Sequence, residues 1–451
     1  MQAITHVILF TVNPHDTVFR DGMILIEGNL IHYAGQMNES LIPEGTPVID
    51  CHHQYAALPG LIDTHNHSSL IRGVDENLNL VDWLPVYDLE HRTCTPEDAR
   101  QAYRLGYMEC LLNGTTTVQD MHRFMNQAAQ VAGDMGLRVF LAPYAADIPP
   151  YDFFETSADN EHLIKEWHGS FNGRIQIEAG IEDVFYASEQ MYNNALLMHE
   201  RYGVRIHTHG PEHAEEEATA QSRFGMSITQ LLFQRGILGD FLSLGHCVPI
   251  NRNDMDLIAS TGASICHCPI SAAKLGCGTA RVKEMEEAGI NVSLGSDGPI
   301  DNNSMDLFQE MKVASLMQKV RYADAKIYDA KHMLRMATIN GARSLGIADQ
   351  IGSLENGKHA DIILINLNHP SLRPICWNED DSDTNLIWAL VFAMQGNFVD
   401  TVFVDGNMLV RGGHLIHADE QEIIDAAQQQ GENWMRRRNN ASNTILKPIR
   451  D

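Results

Sequence analysis

The sequence predicts an α/β protein: a distorted (β/α)8 barrel accompanied by a small β-sandwich built from both chain ends. Three observations carry that expectation. Residues 59–350 alternate short apolar runs with segments of helical periodicity, in about eight units. The flanking stretches, 1–58 and 351–451, are instead made of β-branched runs broken by glycine and asparagine turns. A length of 451 residues also exceeds one ordinary domain and leaves room for a barrel and a satellite.

The first stretch reads as short strands. Residues 3–12 are apolar and β-branched, 22–29 run into the Gly28-Asn29 turn, 30–34 return as the hairpin partner, and 46–50 add another strand. Pro59 and Gly60 then break the chain, and Leu61 and Ile62 open a short buried strand that ends in His65 and His67. A helix is predicted over 96–112, with Thr95 as its cap, Glu97 and Asp98 in its first turn, and Asn113-Gly114 as its stop. A strand at 115–118, a helix at 126–135 ended by Gly136, and a strand at 137–142 follow. The alternation continues with strands at 174–178, 204–209, 242–246, 263–267 and 291–295, and helices at 188–202, 227–235, 254–260 and 282–288. In the last stretch, 352–358 is turn-rich, 360–365 is a strand, and 399–404 and 408–410 form a hairpin. A helix over 420–438 closes the chain before a loosely ordered tail, 439–451.

Composition narrows the function classes. With 44% hydrophobic and 20% charged residues the chain is globular rather than disordered. A net charge of −27 argues against nucleic acid or an anionic membrane surface as partner and favours neutral or cationic small molecules. The eight cysteines are scattered without a CxxC pair, no basic leader opens the chain, and no apolar run approaches the roughly 18 residues of a span. A cytoplasmic protein without a membrane segment is expected.

In a barrel, chemistry gathers at the C-terminal ends of the strands. Here those ends carry His65 and His67, His209 with Glu212 three residues on, His246, His267, and Asp297. Residues i and i+2 of a strand share a face, so His65 and His67 project together. One such end is an ordinary polar terminus; five on one rim are not. The pattern predicts a metal held by His65, His67, His209 and Asp297 with a water in the open position. Glu212 becomes the proton shuttle, and His246 polarises the atom under attack or binds the developing oxyanion. His207, alternating with His209, reads as packing; Cys266, Cys268 and Cys277 read as core or supporting residues; and His91 reads as a surface histidine.

The segments PGLIDTHNH (59–67), IHTHGPEH (206–213), LGHC (244–247), CHCPISAAKLGCG (266–278) and SLGSDGPIDNNSMDLFQEMK (293–312) together resemble the amidohydrolase superfamily. Within it they are similar to the aminohydrolase and chlorohydrolase branch acting on N-heterocycles: triazine hydrolases, guanine deaminases and methylthioadenosine/S-adenosylhomocysteine deaminases. The resemblance covers residues 1–415 and includes the segment around Trp83, Asp120-Met121, and GSLENGKHAD (352–361). It implies the same ligands, with Glu212 as general acid/base, His246 as the electrophilic histidine, and Asp297 doubling as a second proton acceptor. The stretch 174–179 lacks the lysine that bridges two metals in other members, which implies one divalent ion per chain, Zn2+ or alternatively Fe2+.

The implied activity is hydrolytic deamination of a purine-, pterin-, pyrimidine- or triazine-like ring by a metal-activated hydroxide. Loss of chloride or alkylamine, or opening of a cyclic amide, is the alternative, and a catalytically inactive metal-binding interaction protein is a reading from another class. A small-molecule heterocyclic substrate and a homo-oligomer are implied as partners. Expected substrate contacts are Trp83, Glu90 (resembling a family glutamate that binds sugar hydroxyls), His122, Glu182, Asp183, His267 and Asn302. Two departures point away from an adenosine-type pocket. Gly180 to Val184 replace a family Pro-His-Ser segment, and His267 to Ala272 lose two asparagines of a family motif; Glu182 and Asp183 suit a ligand with exocyclic amino groups.

Overall fold

The computed structural model describes residues 1–74 and 76–445. The first segment supplies strands β1 (Gln2–Phe10), β2 (Val18–Glu27), β3 (Leu30–Gln36), β4 (Val48–Asp50) and β5 (Tyr55–Pro59). The central segment supplies β6 (Leu61–Asn66), β7 (Thr115–His122), β8 (Arg138–Pro143), β9 (Ile175–Ile177) and β10 (Ala179–Ile181). It continues with β11 (Ile206–His209), β12 (Leu242–Gly245), β13 (Ser264–His267) and β14 (Val292–Leu294). The last segment adds β15 (Ile362–Asn366), β16 (Val399–Val404), β17 (Asn407–Arg411) and β18 (His414–Leu415).

Both chain ends share one sheet, ordered β18-β17-β16-β15-β5-β1-β2-β3 with β4 beside β1. Its seam is the antiparallel pairing of β15 with β5, from Ile362 opposite Pro59 to Asn366 opposite Tyr55. Ile4, Leu9, Ile24, Ala57, Leu364 and Phe403 form a core of their own there. The central strands make two parallel sheets, β6-β7-β8-β9 and β10-β11-β12-β13-β14. They meet around Glu178, whose N–H donates to Leu141 O in one sheet while Ala179 N–H donates to Arg205 O in the other (2.9 and 2.8 Å). At the opposite edges Asn66 and Asp297 form a parallel bridge, and Asp297 N–H donates to His65 O at 2.9 Å. The strand carrying the two histidines therefore lies beside the strand that leads to the aspartate.

Local signals place most elements. Thr95 accepts from Asp98 N–H and Asp98 from Thr95, closing a capping box on the helix Pro96–Leu112. Gly136 ends the helix Met125–Met135 with φ of 84°, a left-handed turn that glycine takes without steric cost. Three differences stand out. The strand expected at 174–178 is β9, and a further short strand, β10, follows it in the other sheet. Helices Leu80–Thr93, Ser157–Trp167, Ala214–Phe224 and Leu307–Tyr322 were not expected. The terminal helix, Glu420–Ile445, continues through seven residues of the expected loose tail, and residues 446–451 of that tail lie outside the described residues. No helix among the described residues is long and apolar enough to cross a membrane.

One buried ion pair ties the parallel core to the terminal sheet. Arg138 in β8 donates from Nε and one terminal nitrogen to both oxygens of Asp361, at 3.1 and 3.2 Å, and Asp405 N–H donates to the same carboxylate at 2.7 Å. The Arg138 and Asp361 side chains are 6% and 3% exposed, so Asp361→Ala removes both hydrogen bonds of a buried guanidinium and leaves the Asp405 carboxylate 3.9 Å away. Its expected cost is about 3–5 kcal/mol of stability. It is measured as a lower denaturant midpoint at unchanged slope.

Candidate functional site

The strand ends converge. His67 Nδ1 faces Met121 O at 2.6 Å and His209 Nδ1 faces Glu182 O at 2.5 Å, so each ring carries its proton on Nδ1. The same logic runs through His65: His207 Nδ1 faces Ser243 O (3.1 Å) and Oγ (2.7 Å), which leaves His207 Nε2 to accept from His65 Nδ1 at 2.8 Å. His65, His67 and His209 thus all present a bare Nε2 inward. His67 Nε2 stands 3.1 Å from His65 Nε2, 3.3 Å from His209 Nε2 and 3.4 Å from Asp297 Oδ1. Lone pairs so crowded repel one another unless a cation lies among them, and three neutral imidazoles with one carboxylate suit a divalent transition ion. Burial, then mutual repulsion among the rings, holds His65 and His209 well below the usual imidazole range, which keeps them in the ligating form.

The backbone is bent to make this fit. His246, Cys247 and Asp297 adopt φ of 65°, 56° and 62°, left-handed values for non-glycine residues that tertiary contacts must hold in place. Gly245 is required by proximity: a Cβ there would lie 2.8 Å from His65 Cε1. Ser271 Oγ donates to Asp297 Oδ2 at 2.5 Å and Gly298 N–H to Oδ1 at 2.9 Å, fixing the carboxylate plane.

Beside this cluster sit an acid and a base. Glu212 Oε1 is 3.9 Å from His246 Nδ1 and accepts from Cys277 Sγ at 3.5 Å. Glu212 is raised to about 7, chiefly by burial, with His246 pulling it down and Asp297 pushing it up. Burial alone would lower His246, but Glu212 and Asp297 outweigh it and raise it. A carboxyl poised near neutrality can both take and return a proton.

A cavity of about 680 Å³, counting its open mouth, lies over these groups. His67, His209, Glu212, His246 and Asp297 reach it, with Trp83, Glu90, His122, Glu182 and Asp183 on its walls, whereas His65 lies beneath. Two expected contacts are corrected. Asn302 is turned into the fold, its amide donating to Ser296 O and Glu310 Oε1, both at 2.6 Å, and it does not line the cavity. His267 is buried, 1% exposed, and is likewise absent from the lining. His91 is also corrected: it is 2% exposed and lines the cavity, carried there by the unexpected helix Leu80–Thr93. The same helix brings Tyr87, and Tyr144 and Asp301 complete the wall; nothing in the strand-end pattern pointed to these three.

The chain matches the amidohydrolase family over residues 56–409. It is 31% identical over 424 residues to a 5-methylthioadenosine/S-adenosylhomocysteine deaminase of Acetivibrio thermocellus, covering 92% of this chain and 95% of that protein. Among solved structures, an adenosine deaminase from Xanthomonas campestris with bound zinc superposes with a TM-score of 0.89 at 25% identity, covering 96% of this chain and 98% of the other. The atrazine chlorohydrolase of Arthrobacter aurescens TC1, complexed with zinc, gives 0.85 at 25% identity, covering 96% and 100%.

Proposed function

Because this chain belongs to the amidohydrolase family, we propose that it is a metal-dependent hydrolytic deaminase of an amino-substituted N-heterocycle. Water replaces a ring amino group, leaving a carbonyl on the ring and releasing ammonia. The observation that carries this reading is the inward convergence of three bare imidazole nitrogens, with Asp297 against His67 and with Glu212 and His246 beside them. His65, His67, His209 and Asp297 would hold one divalent ion, zinc in the first instance because both solved neighbours bind it. Bound there, the ion supplies a Lewis acid that makes water acidic near neutral pH.

The remaining work falls to this chain's own side chains. Glu212 takes a proton from the attacking water and passes it to the departing amine nitrogen. His246, with Nδ1 free of any hydrogen-bond partner, faces the developing negative charge on the ring. Asp297 accepts the second proton of the water. Trp83, Glu90, His122, Glu182 and Asp183 form the substrate side of the pocket.

A second reading replaces the amino group by chloride or an alkylamine, favoured by the likeness to the atrazine chlorohydrolase. The same attack serves both leaving groups. An inactive metal-binding scaffold is disfavoured by the intact Glu212, His246 and Asp297. We further read the two parallel sheets as arcs of a distorted (β/α)8 TIM barrel, a reading supported by the Asn66–Asp297 bridge. The shared terminal sheet we read as a β-sandwich, with domains at 1–58, 59–350 and 351–451. A reducing cytoplasm accords with eight free cysteines, and a homo-oligomer with exposed Leu316, Val320 and Trp388.

Metal removal tests the reading. Dialysis against a chelator is expected to abolish ammonia release, and zinc is expected to restore it. Undiminished release from metal-free protein would overturn the reading.

A further inference from the structure

Three buried carboxyl oxygens on the cavity wall have no hydrogen-bond partner: Glu182 Oε2, Glu90 Oε2 and Asp301 Oδ1. Their side chains are held in place by the other half of each group or by burial. Glu182 Oε1 accepts from Tyr87 Oη at 2.9 Å, Glu90 Oε1 accepts from Ser69 Oγ at 2.6 Å, and the three residues are 5%, 1% and 4% exposed. A buried acceptor left without a donor is costly, so these three oxygens on the cavity wall call for a donor, from solvent or from a ligand.

The charge of the wall points the same way. Seven acidic side chains line the cavity, and no lysine or arginine does so among the described residues. Two of the seven, Asp297 and Glu212, belong to the metal and proton-transfer groups. Glu216 is spent on the backbone, accepting from Glu212 and His213 N–H at 2.7 and 2.9 Å. That leaves Glu90, Glu182, Asp183 and Asp301 on the ligand side of the cavity, with no lysine or arginine beside them in the lining among the described residues. A phosphate or carboxylate entering here would find no lysine or arginine fork in the lining to bind it. Ring N–H and amino groups would meet acceptors. The aromatic faces of Trp83 and Tyr87, 5.4 Å apart, supply flat apolar contact for a planar ring.

We propose that the ligand of this pocket is a planar amino-heterocycle rich in N–H or O–H donors and free of phosphate and carboxylate, read by Glu182 and Asp301. This rests on the deaminase reading for the identity of the site, but it concerns recognition and not chemistry. It narrows the substrate class: nucleoside-like or free-base rings fall inside it, nucleotides and carboxylated conjugates outside.

The test measures binding by calorimetry to zinc-loaded protein, using three pairs that differ in one anionic group. The pairs are adenosine and its 5′-monophosphate, pterin and pterin-6-carboxylate, and 2,4-diaminopyrimidine and its 5-carboxylate. The expected result is that at least one uncharged member binds, and binds at least about tenfold tighter than its anionic partner. Glu182→Gln keeps the acceptor for Tyr87 but offers an amide N–H where the free oxygen stood. That variant, and separately Asp301→Asn, should weaken the bound member about tenfold while the anionic partner loses less. An anionic member binding as tightly as its partner, both variants binding like the parent, or none of the six compounds binding would each overturn the proposal. Ammonia release followed on the same samples separates the two ideas. Preference for uncharged rings without turnover would sink the deaminase reading alone. Deamination of the anionic members at equal efficiency would sink this one alone.

Discussion

Glu212→Gln is expected to leave zinc content near that of the parent while turnover falls by roughly 10²–10⁴-fold, the usual contribution of a positioned general acid/base. In transition-state terms that is about 3–5 kcal/mol. The side chain sits 3.9 Å from His246, and the metal-type cluster is complete without it, so removing its charge leaves the four ligand atoms where they are. An amide of the same shape keeps the packing but neither accepts nor carries a proton. The sign of the pH effect follows from the same role. Only the ionised carboxylate can take a proton from water, so parent activity rises as pH climbs through the range of Glu212, and the variant lacks that rise. Parallel loss of zinc would mean that Glu212 is a ligand and that the shuttle lies elsewhere.

Asp297→Asn is expected to lose metal and activity together. The carboxylate brings an anion to the cluster of bare imidazole nitrogens, 3.4 Å from His67 Nε2, and Ser271 Oγ and Gly298 N–H fix both of its oxygens. An amide presents either a neutral oxygen or an N–H to that cluster, and its NH2 meets a donor at Ser271 or Gly298. Loss of outer partners alone typically costs 10–100-fold in metal affinity. Loss of a ligand charge should cost more, with turnover falling below detection at sub-stoichiometric zinc. Circular dichroism like that of the parent would show that the chain still folds. A variant retaining zinc and full activity would remove Asp297 from the ligand set.

The metal-type cluster was legible because strand geometry is simple. A period of two puts His65 and His67 on one face, and short strands ending in His or Asp announce a common rim. The walls were hidden for physical reasons. The helix Leu307–Tyr322 buries Glu310, Ser315 and Gln318 on its inner face, where they bond to Asn302, Tyr328 O and Ala280 O. Polar residues on the buried stripe erase the apolar period that announces a helix. Asn302 looked like a pocket residue because its internal partner, Glu310, lay on that unseen helix. The helix Leu80–Thr93 carries Pro85 in its interior, a residue that argues against a helix in any sequence reading. Missing it meant missing His91 and Tyr87. Asp301 follows Asp297 in a tight turn, where a loop acid is indistinguishable from a solvated one until burial is known.

The most direct test of the central claim is ammonia release from zinc-reconstituted protein across adenosine-type nucleosides, guanine-like purines, pterins, pyrimidines and amino-triazines. The expected result is release of one ammonia per ring from one of these classes, dependent on zinc and on Glu212. Silence from every amino-bearing ring at full zinc loading, with turnover of chlorinated or alkylamino analogues instead, would contradict the deaminase claim and leave the same site performing a different displacement.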